Sequence, residues 1–336
     1  MSNSNFSEND IRPSDLMKEQ QIAMTIDIGR LLQQSDKFVF VNCPACQKDS
    51  ADLKYHKYGM RFVECKACRT MYTNPRPTAE VLEEFYKDSV NYSFWDKHIF
   101  PASEKVRREK IFVPRVDKTL EICQKYNVKN DSLLEIGAAF GTFCLEMKSR
   151  NYFKNIVAVE PTPNLAKTCR KKGLQVIEEV VENIEFNEKE KFDVIVNFEV
   201  IEHIFSPINF IANLKKMLKK GGLLIITCPN GQGFDFKILK EKCNSVDHEH
   251  LNYFNPSSLA LLLNSSGFKV LESHTPGKLD AELVRNKILS GEYKVDKGSF
   301  LYQVLVENWE HVGIDFQSFL SNSGLSSNMW IVVQLE

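Results

Sequence analysis

Short apolar runs alternate with helical patterns along the second half of the sequence, and this alternation restricts the fold more than any other feature. The runs are rich in leucine and β-branched residues, and they lie at 133–136, 156–160, 174–177, 192–197, 222–228, 268–271 and 329–335. Strands that alternate with helices are typical of a mostly parallel sheet with crossover helices. We therefore predict an α/β fold whose sheet has six or seven strands.

Turn signals and changes of composition divide the chain into four segments. The predicted segments are an N-terminal helical segment at 1–40, a cysteine-bearing unit at 41–77, a helical linker at 78–130 and an α/β domain at 131–336. Apolar positions at helical spacing within 276–328 predict a helical insertion before the last strand. A chain of 336 residues is long enough for more than one compact unit.

The charge balance and the apolar runs exclude several classes of partner. Lys and Arg total 43 and Asp and Glu total 44, which gives a formal net charge of −1. A nucleic-acid partner is disfavoured, because no global positive field attracts phosphates. The apolar runs are strand-sized, so no membrane span is predicted. The N-terminal residues lack the basic start and apolar core of a secretory signal, and we expect a cytoplasmic location.

Four of the nine cysteines form two close pairs, Cys43 with Cys46 and Cys65 with Cys68. The 18 residues between the pairs are typical of two knuckles that bind one tetrahedral Zn²⁺ ion. The intervening segment, 53–63, is long enough for a β-hairpin, which completes a zinc-ribbon pattern. Because four protein ligands leave no open position on the ion, we expect a structural metal site.

A loop of small residues follows the first predicted strand of the α/β domain. Gly137, Ala139 and Gly141 lie where the backbone turns tightly into a helix. Glu160 ends the next strand, 23 residues after Gly137, where an acid can bind the ribose of an adenosine-containing ligand. Glu135 precedes the loop and would repel a phosphate, so a cationic ligand fits better than a dinucleotide. S-adenosylmethionine carries a positive charge and no phosphate.

At these residues the chain resembles the class I S-adenosylmethionine-dependent methyltransferases. Their acid-x-Gly-x-Gly-x-Gly motif matches Glu135, Gly137 and Gly141, with Ala139 in place of the middle glycine. The resemblance covers about 130–336, and it implies a Rossmann-like seven-stranded sheet with an antiparallel last strand. The cofactor-binding residues that it implies are Glu135, Gly137, Ala139, Gly141, Glu160, Val181 beside the adenine, and Asn197 in the fourth strand.

Two histidine-containing stretches follow strands on the predicted cofactor side. His203 follows the fourth strand, and His250 follows the fifth strand and its long loop. Ligand-binding residues of such sheets gather outside the carboxyl ends of the strands. Both histidines are therefore candidates for the base that removes a proton from a methyl acceptor.

The segment 248–254 resembles the His-Glu-His-x-x-Tyr-Phe segment of sugar methyltransferases from deoxysugar pathways, some of which carry an N-terminal zinc-binding unit. This resemblance implies that His250 is the catalytic base, that Glu249 is its orienting or auxiliary carboxylate and that Tyr253 presents a hydroxyl to the substrate. His203 lies in a Glu-x-x-Glu-His stretch that resembles ubiquinone-type O-methyltransferases. For His203, a catalytic and a structural role both remain open.

The sequence therefore predicts an S-adenosylmethionine-dependent methyltransferase that acts on a sugar or sugar-derived small molecule in polysaccharide or deoxysugar biosynthesis. S-adenosylmethionine and a structural Zn²⁺ ion are the predicted cofactors. The alternatives are a quinone-type O-methyltransferase, an RNA- or DNA-modifying methyltransferase that binds through the ribbon, and a non-catalytic scaffold. We expect the insertion and the ribbon to cover the acceptor pocket. The sequence indicates neither the methylated atom nor the oligomeric state.

Overall fold

A computed structural model describes residues 6–184 and 190–336, so the first five residues of the predicted N-terminal segment lie outside the described residues. The strands are β1 (Ala51–Lys57), β2 (Met60–Cys65), β3 (Met71–Thr73), β4 (Ser132–Ile136), β5 (Asn155–Val159), β6 (Gln175–Ile177), β7 (Phe192–Phe198), β8 (Leu218–Pro229), β9 (Asn252–Tyr253), β10 (Phe268–His274) and β11 (Asn328–Leu335). They form two sheets.

The larger sheet has seven strands in the order β6-β5-β4-β7-β8-β11-β10. The first five of these strands are mutually parallel. β11 is antiparallel to both of its neighbours, β8 and β10. The predicted Rossmann-like α/β fold with seven strands and an antiparallel last strand is confirmed.

Burial on both faces explains why the central strands arise from continuous apolar runs. Every residue of β4 and of β7 is buried, as expected for parallel strands that helices cover on both sides. Asp193 is a charged exception in β7, and its carboxylate accepts hydrogen bonds from the Ser132 backbone N–H and the Lys219 ammonium group, both at 2.9 Å. Glu135, the buried acid of β4, accepts a hydrogen bond from Cys144 and belongs to the site described below.

The helices connect and flank these strands. They are α1 (Glu8–Ile11), α2 (Ser14–Leu32), α3 (Ala79–Asp88), α4 (Val90–Phe94), α5 (Phe100–Arg107), α6 (Val113–Lys125), α7 (Thr142–Ser149), α8 (Pro163–Lys171), α9 (Pro207–Met217), α10 (Phe234–Leu239), α11 (Pro256–Ser265), α12 (Asp280–Leu289), α13 (Phe300–Tyr302) and α14 (Trp309–Asn322). Shorter π-helical turns lie at Trp95–Ile99, Arg108–Phe112 and Gln303–Glu307, and 3₁₀ turns lie at Ser35–Lys37, Val181–Asn183 and Lys240–Lys242. Within the described part of the chain, no helix has both the length and the apolarity that crossing a bilayer requires.

The smaller sheet joins the cysteine-bearing unit to the α/β domain. Its order is β1-β2-β3-β9 and its pairings are antiparallel. β1 and β2 form the predicted hairpin, whereas β9 comes from the long loop after β8. It pairs with β3 through Met71 opposite Tyr253 and Tyr72 opposite Asn252. The segments on either side of the predicted boundary at residue 77 therefore share one sheet.

The N-terminal helix packs through a face that contains charged and amide side chains. The buried residues of α2 are Gln20, Ala23, Asp27 and Leu31. The Asp27 carboxylate accepts hydrogen bonds from the backbone N–H groups of Val90 (3.0 Å) and Asn91 (2.8 Å) at the start of α4. These bonds satisfy donors that the first turn of a helix leaves without an intrahelical partner. The helix is thereby fixed to the linker by a polar contact.

The predicted helical insertion contains α12, α13 and α14. Asp280, buried at the start of α12, accepts a hydrogen bond from the Gln317 side-chain amide at 2.6 Å. It also accepts one from the backbone N–H of Ser327 at 2.5 Å, immediately before β11. The insertion is therefore joined to the last strand of the larger sheet.

Candidate active site

A cavity of about 920 Å³ lies beside the loops that follow β4, β7 and β8. Ala139 and Phe140 line it after β4, Glu199 and His203 line it after β7, and His250 lines it after β8. Its volume is near the upper end of the range of about 300 to 1,000 Å³ for small-molecule pockets. It has room for a cofactor and an acceptor side by side.

The loop after β4 has the backbone conformation that its glycines permit. Gly137 has φ +73°, and a Cβ atom there would lie 2.5 Å from Cγ2 of Val200. Gly141 has φ +71° and precedes α7. Ala139 also has a positive φ, +47°, although it carries a side chain. The middle position of the motif therefore keeps a glycine-like conformation after the replacement by alanine.

Glu160 holds this loop in place. Its carboxylate accepts hydrogen bonds from the backbone N–H groups of Ala139 (2.7 Å) and Thr162 (2.9 Å). Each carboxylate oxygen has a second lone pair that can accept a further hydrogen bond. The contact with the loop is thus compatible with the predicted contact to a ribose, which stays a prediction.

Glu135 is buried in β4, and Cys144 donates a hydrogen bond to its carboxylate at 2.9 Å. Burial raises the pKa of Glu135 to about 8. The carboxyl group is therefore mostly protonated at neutral pH as long as no cation lies beside it. A positively charged ligand would favour its ionised form.

Asn197 and Val181 have different surroundings from each other. Asn197 is fully buried in β7, and within the described part of the chain neither its amide nitrogen nor its amide oxygen has a hydrogen-bond partner. Such unsatisfied groups are rare in proteins and are candidates for ligand contacts. Val181 is buried in the same apolar cluster as Val157 and Val159. Its predicted contact with an adenine stays a prediction.

Three residues on the cofactor side of the cavity were not predicted. Phe140 stacks on Phe100 with ring centroids 3.5 Å apart, and Leu165 lies on the same cavity wall. Glu199 has φ +56°, and its carboxylate accepts hydrogen bonds from Thr227 (2.6 Å) and Arg115 (3.1 Å). The sequence signal for Glu199 was its position directly after β7, at the carboxyl edge of the sheet.

The two predicted histidines face each other. The ring centroids of His203 and His250 are 4.7 Å apart. Nδ1 of His250 lies 2.9 Å from the carbonyl oxygen of Ser245, which can only accept a hydrogen bond, so Nδ1 carries a proton. Burial, reinforced by His250, lowers the pKa of His203 to about 3, so His203 stays neutral. Its Nδ1 lies 3.2 Å from the Tyr86 hydroxyl.

The acid in contact with His250 is Asp247, whereas Glu249 lines the cavity and contacts other residues, so its predicted role in catalysis stays a prediction. Asp247 Oδ2 lies 3.4 Å from His250 Nδ1, and Asp247 Oδ1 accepts the His250 backbone N–H at 2.8 Å. The Glu249 carboxylate instead accepts a hydrogen bond from Asn91 (2.9 Å) and lies 3.6 Å from His248 Nε2. Consecutive side chains of this loop point in different directions, so adjacency in sequence did not predict the contact.

Tyr253 also differs from its prediction as a substrate-facing hydroxyl. Its side chain is fully buried. Its hydroxyl oxygen accepts the backbone N–H of Asp247 at 3.1 Å. Because β9 belongs to the smaller sheet, Tyr253 packs in the core against Phe62 and Phe236.

Glu202 is a further buried acid at the histidines. Among the described residues its two carboxylate oxygens have no hydrogen-bond partner, and burial raises its pKa well above the ordinary value. The ligand-type atoms of Glu202, His203 and His250 lie within 4.8 Å of one another. Their proximity reflects how closely the loops after β7 and β8 approach each other.

The four cysteines of the two pairs also come together. Their sulfur atoms lie within 4.8 Å of one another, with Cys43 3.4 Å from Cys68 and Cys46 3.5 Å from Cys65. A tetrahedral zinc ion with Zn–S bonds of about 2.3 Å separates its sulfurs by about 3.8 Å. The donor set and its spacing therefore fit a structural zinc ion.

The remaining wall of the cavity carries charged, amide and aromatic side chains, with Met17 and Met24 among them. Its amide side chains are Asn9, Gln20, Gln21, Asn91, Asn244 and Asn286, and its aromatic side chains include Tyr58, Tyr92 and Trp95. α2 and the linker supply most of them. The insertion supplies residues of α12, and the cysteine-bearing unit supplies Tyr58. The N-terminal helix thus contributes more to this wall than the sequence predicted.

The sheet and the loop after β4 define the methyltransferase domain of a class I S-adenosylmethionine-dependent enzyme. A family model described as Methyltransferase domain matches residues 105–273, about half of the chain. The chain belongs to this family. The prediction of an S-adenosylmethionine-dependent methyltransferase is confirmed at the level of this domain.

Curated relatives match parts of the chain. An uncharacterized protein of Methanocaldococcus jannaschii is 28% identical over 141 residues, which are 42% of this chain and 65% of the relative. A ubiquinone biosynthesis O-methyltransferase of Roseobacter denitrificans is 32% identical over 24% of this chain and 35% of its own length. One from Rickettsia prowazekii is 24% identical over 57% of this chain and 78% of its own length. The chain thus spans less than two thirds of the first two relatives.

Two solved structures are similar at low identity. An S-adenosylmethionine-dependent methyltransferase of Clostridium acetobutylicum has a TM-score of 0.45 and 13% identity, covering 72% of this chain and 96% of that one. A methyltransferase complex with the Trm112 activator of Haloferax volcanii has a TM-score of 0.45 and 11% identity, covering 75% and 96%.

Binding of S-adenosylmethionine is expected to release a proton from Glu135. With a pKa of about 8, the free carboxyl group is protonated below pH 8, and a bound cation shifts it to the carboxylate. Affinity should rise by up to about tenfold per pH unit below pH 8 and level off above it. Calorimetric titration in buffers of different ionisation enthalpy measures the proton release. Equal release by the wild type and by Glu135→Gln would contradict the assignment.

Proposed function

We propose that this protein transfers a methyl group from S-adenosylmethionine to a sugar or sugar-derived small molecule of polysaccharide or deoxysugar biosynthesis, with His250 as the general base. One observation carries the proposal. A single cavity is lined by Ala139 and Phe140 of the loop after β4, by His250 and by amide and aromatic side chains. The cofactor loop and the candidate base can thus reach the same bound acceptor.

The residues of the loop fit the proposed cofactor. Glu160 would bind its ribose hydroxyls, Ala139 and Phe140 would contact its adenosine portion, and Glu135 would balance its positive charge. The buried amide of Asn197 offers a donor and an acceptor that lack partners among the described residues. S-adenosylmethionine, when bound, supplies an electrophilic methyl group.

His250 is placed to accept a proton. Because the carbonyl oxygen of Ser245 accepts from Nδ1, Nε2 is the ring nitrogen that would take the proton of an acceptor hydroxyl. Asp247, 3.4 Å from Nδ1, would stabilise the imidazolium that forms. Although burial opposes it, the neighbouring His250 and His248 lower the pKa of Asp247, which keeps it ionised. We therefore assign to Asp247 an orienting role like the one that the resemblance implied for Glu249.

The composition of the wall favours a polyhydroxylated acceptor. Amide groups donate and accept hydrogen bonds to hydroxyls, and aromatic rings pack on the apolar faces of sugars. Trp95 and Tyr92 offer such faces.

A quinone-type O-methyltransferase is the second candidate. It is favoured by the names of several relatives and by the Glu199-to-His203 stretch, which lines the cavity with both of its end residues. Its acceptor would be a phenolic hydroxyl. For such an acceptor, His203 and His250 are both candidates for the general base.

Labelled acceptors can separate the two candidates. Purified protein is incubated with methyl-labelled S-adenosylmethionine and, in parallel, with nucleotide-sugar and polysaccharide extracts or with hydroxylated quinone precursors. We expect label in the sugar fraction because the amide wall satisfies hydroxyl groups. Label confined to the quinone precursors would establish the second candidate instead.

Removal of the proposed base should affect turnover and leave cofactor binding intact. We expect His250→Ala to lower kcat by about 100-fold or more, as loss of a general base does, with the Kd of S-adenosylmethionine within twofold of wild type. His311→Ala, on the exposed face of α14, is the matched control. If only His203→Ala lowers kcat to this extent, the base is His203.

We further propose that Cys43, Cys46, Cys65 and Cys68 hold a structural zinc ion and that 41–77 is a zinc-ribbon unit. Two backbone turns of the same form support the site. Gln47, after the first pair, and Arg69, after the second, both have a positive φ, and their N–H groups bond to the carbonyl oxygens of Cys43 and Cys65. Each pair therefore folds back on itself as a knuckle.

Metal analysis tests this site. The purified protein should contain about one zinc per chain, and Cys43→Ser should lose the metal and melt at a lower temperature, because metal binding contributes to folding. Cys243→Ser is the control, since Cys243 is buried away from the cluster beside Asp235. Retention of one zinc per chain by Cys43→Ser would show that the metal binds elsewhere.

A further inference from the structure

Arg76 is a buried cation whose hydrogen bonds go to neutral acceptors. Within the described part of the chain it is the largest fully buried side chain. Burial lowers its pKa to about 10, which still leaves it charged at neutral pH. Its guanidinium donates to the carbonyl oxygens of Thr73 (3.1 Å), Phe205 (3.0 Å) and Leu251 (3.2 Å) and to Oδ1 of Asn252 (3.0 Å). A rigid fork of donors can join several chain segments in this way.

These acceptors lie next to the two histidines. Phe205 follows His203 by two residues, and Leu251 directly follows His250. Thr73 is the last residue of β3, the ribbon strand that pairs with β9. Arg76 therefore holds both histidine-bearing loops against the ribbon.

Asn252, which accepts a hydrogen bond from Arg76, makes further bonds to the same two loops. Its Nδ2 donates to the carbonyl oxygens of Ile204 (2.7 Å) and Ile201 (3.2 Å), on either side of His203. The backbone N–H groups of Leu251 (2.7 Å) and Asn252 (3.0 Å) donate to the carbonyl oxygen of Glu202. The loop of His250 is thus bonded directly to the loop of His203, and none of these bonds uses a histidine side chain.

We propose that Arg76 and Asn252 are positioning residues that set the distance and angle between His203 and His250. The ribbon would then contribute to the reaction indirectly, because β3 and Arg76 hold the loop that carries His250. This inference rests on the proposed role of His250. Neither residue lines the cavity, so their effect on turnover would pass through the histidines.

Two conservative substitutions test the hydrogen bonds of Arg76 and those of Asn252 separately. Arg76→Lys keeps the charge and removes the multiple donors. Asn252→Asp keeps the oxygen that Arg76 contacts and removes the donor to Ile204 and Ile201. Arg61→Lys, exposed on β2 of the same sheet, is the matched control.

Both variants should lower kcat by about 10- to 100-fold, the range expected when reacting groups are misplaced by a fraction of an ångström to one ångström. The acceptor KM, the Kd of S-adenosylmethionine and the zinc content should stay within twofold of wild type. The ring resonances of His203 and His250 should shift in histidine-labelled NMR spectra, whereas that of His311 should not. In the His250→Ala background, Arg76→Lys should cause no further loss of kcat.

Several results would overturn the proposal. Unchanged histidine resonances together with unchanged kcat of the folded fraction would show a purely structural role, and so would loss of the fold in both variants. An additive loss in the double variant would show that Arg76 acts independently of His250. The NMR measurement needs no acceptor, so it decides the positioning role even if the proposed methyl transfer is not observed.

Discussion

The pairing of β3 with β9 is the contact on which the candidate site depends. His250 lies in a long loop after β8, and loops of this length are usually more mobile than the elements that they connect. Here the loop ends in a strand of the smaller sheet, and the Thr73 backbone N–H bonds to the carbonyl oxygen of Leu251 at 3.0 Å. The cysteine-bearing unit is therefore part of the scaffold of the site. The proposed zinc, which would connect the turn before β1 to the turn after β2, would stiffen the same scaffold.

Burial decides the protonation of the ionisable groups around the cavity. Glu135 and Glu202 are acids whose pKa values burial raises, and His203 is a base whose pKa burial lowers. All three changes favour the neutral form, because a charge is poorly solvated inside a protein. Groups that deviate in this way concentrate at functional sites. A cationic cofactor bound beside one of these acids would favour the ionised form of its carboxyl group.

Patterns confined to a few neighbouring residues were predictive. Continuous apolar runs gave the seven strands, since parallel strands are covered on both faces and carry little polar alternation. The spacing of Gly137 and Gly141 placed the loop, because positive φ angles restrict which residues fit. The cysteine spacing placed four sulfurs within reach of one ion. Each of these constraints acts within a strand, a turn or a pair of turns.

Contacts between distant segments were not predictable in the same way. Glu249 follows His248 and precedes His250, yet its partner is Asn91 of the linker. Tyr253 was expected at the substrate, but β9 turns it into the core. Arg76 was part of a turn sequence, and only the tertiary structure shows which carbonyl groups surround it.

The sequence by itself determined the order of strands and helices, the turn after β4 and the two turns of the cysteine pairs, because backbone conformation and apolar periodicity are local properties. The tertiary structure alone decided which acid contacts His250, which face of α2 is buried and how the ribbon joins the site. Hydrogen bonds between side chains and distant carbonyl groups depend on which loops meet in space, and sequence separation carries no information about that meeting.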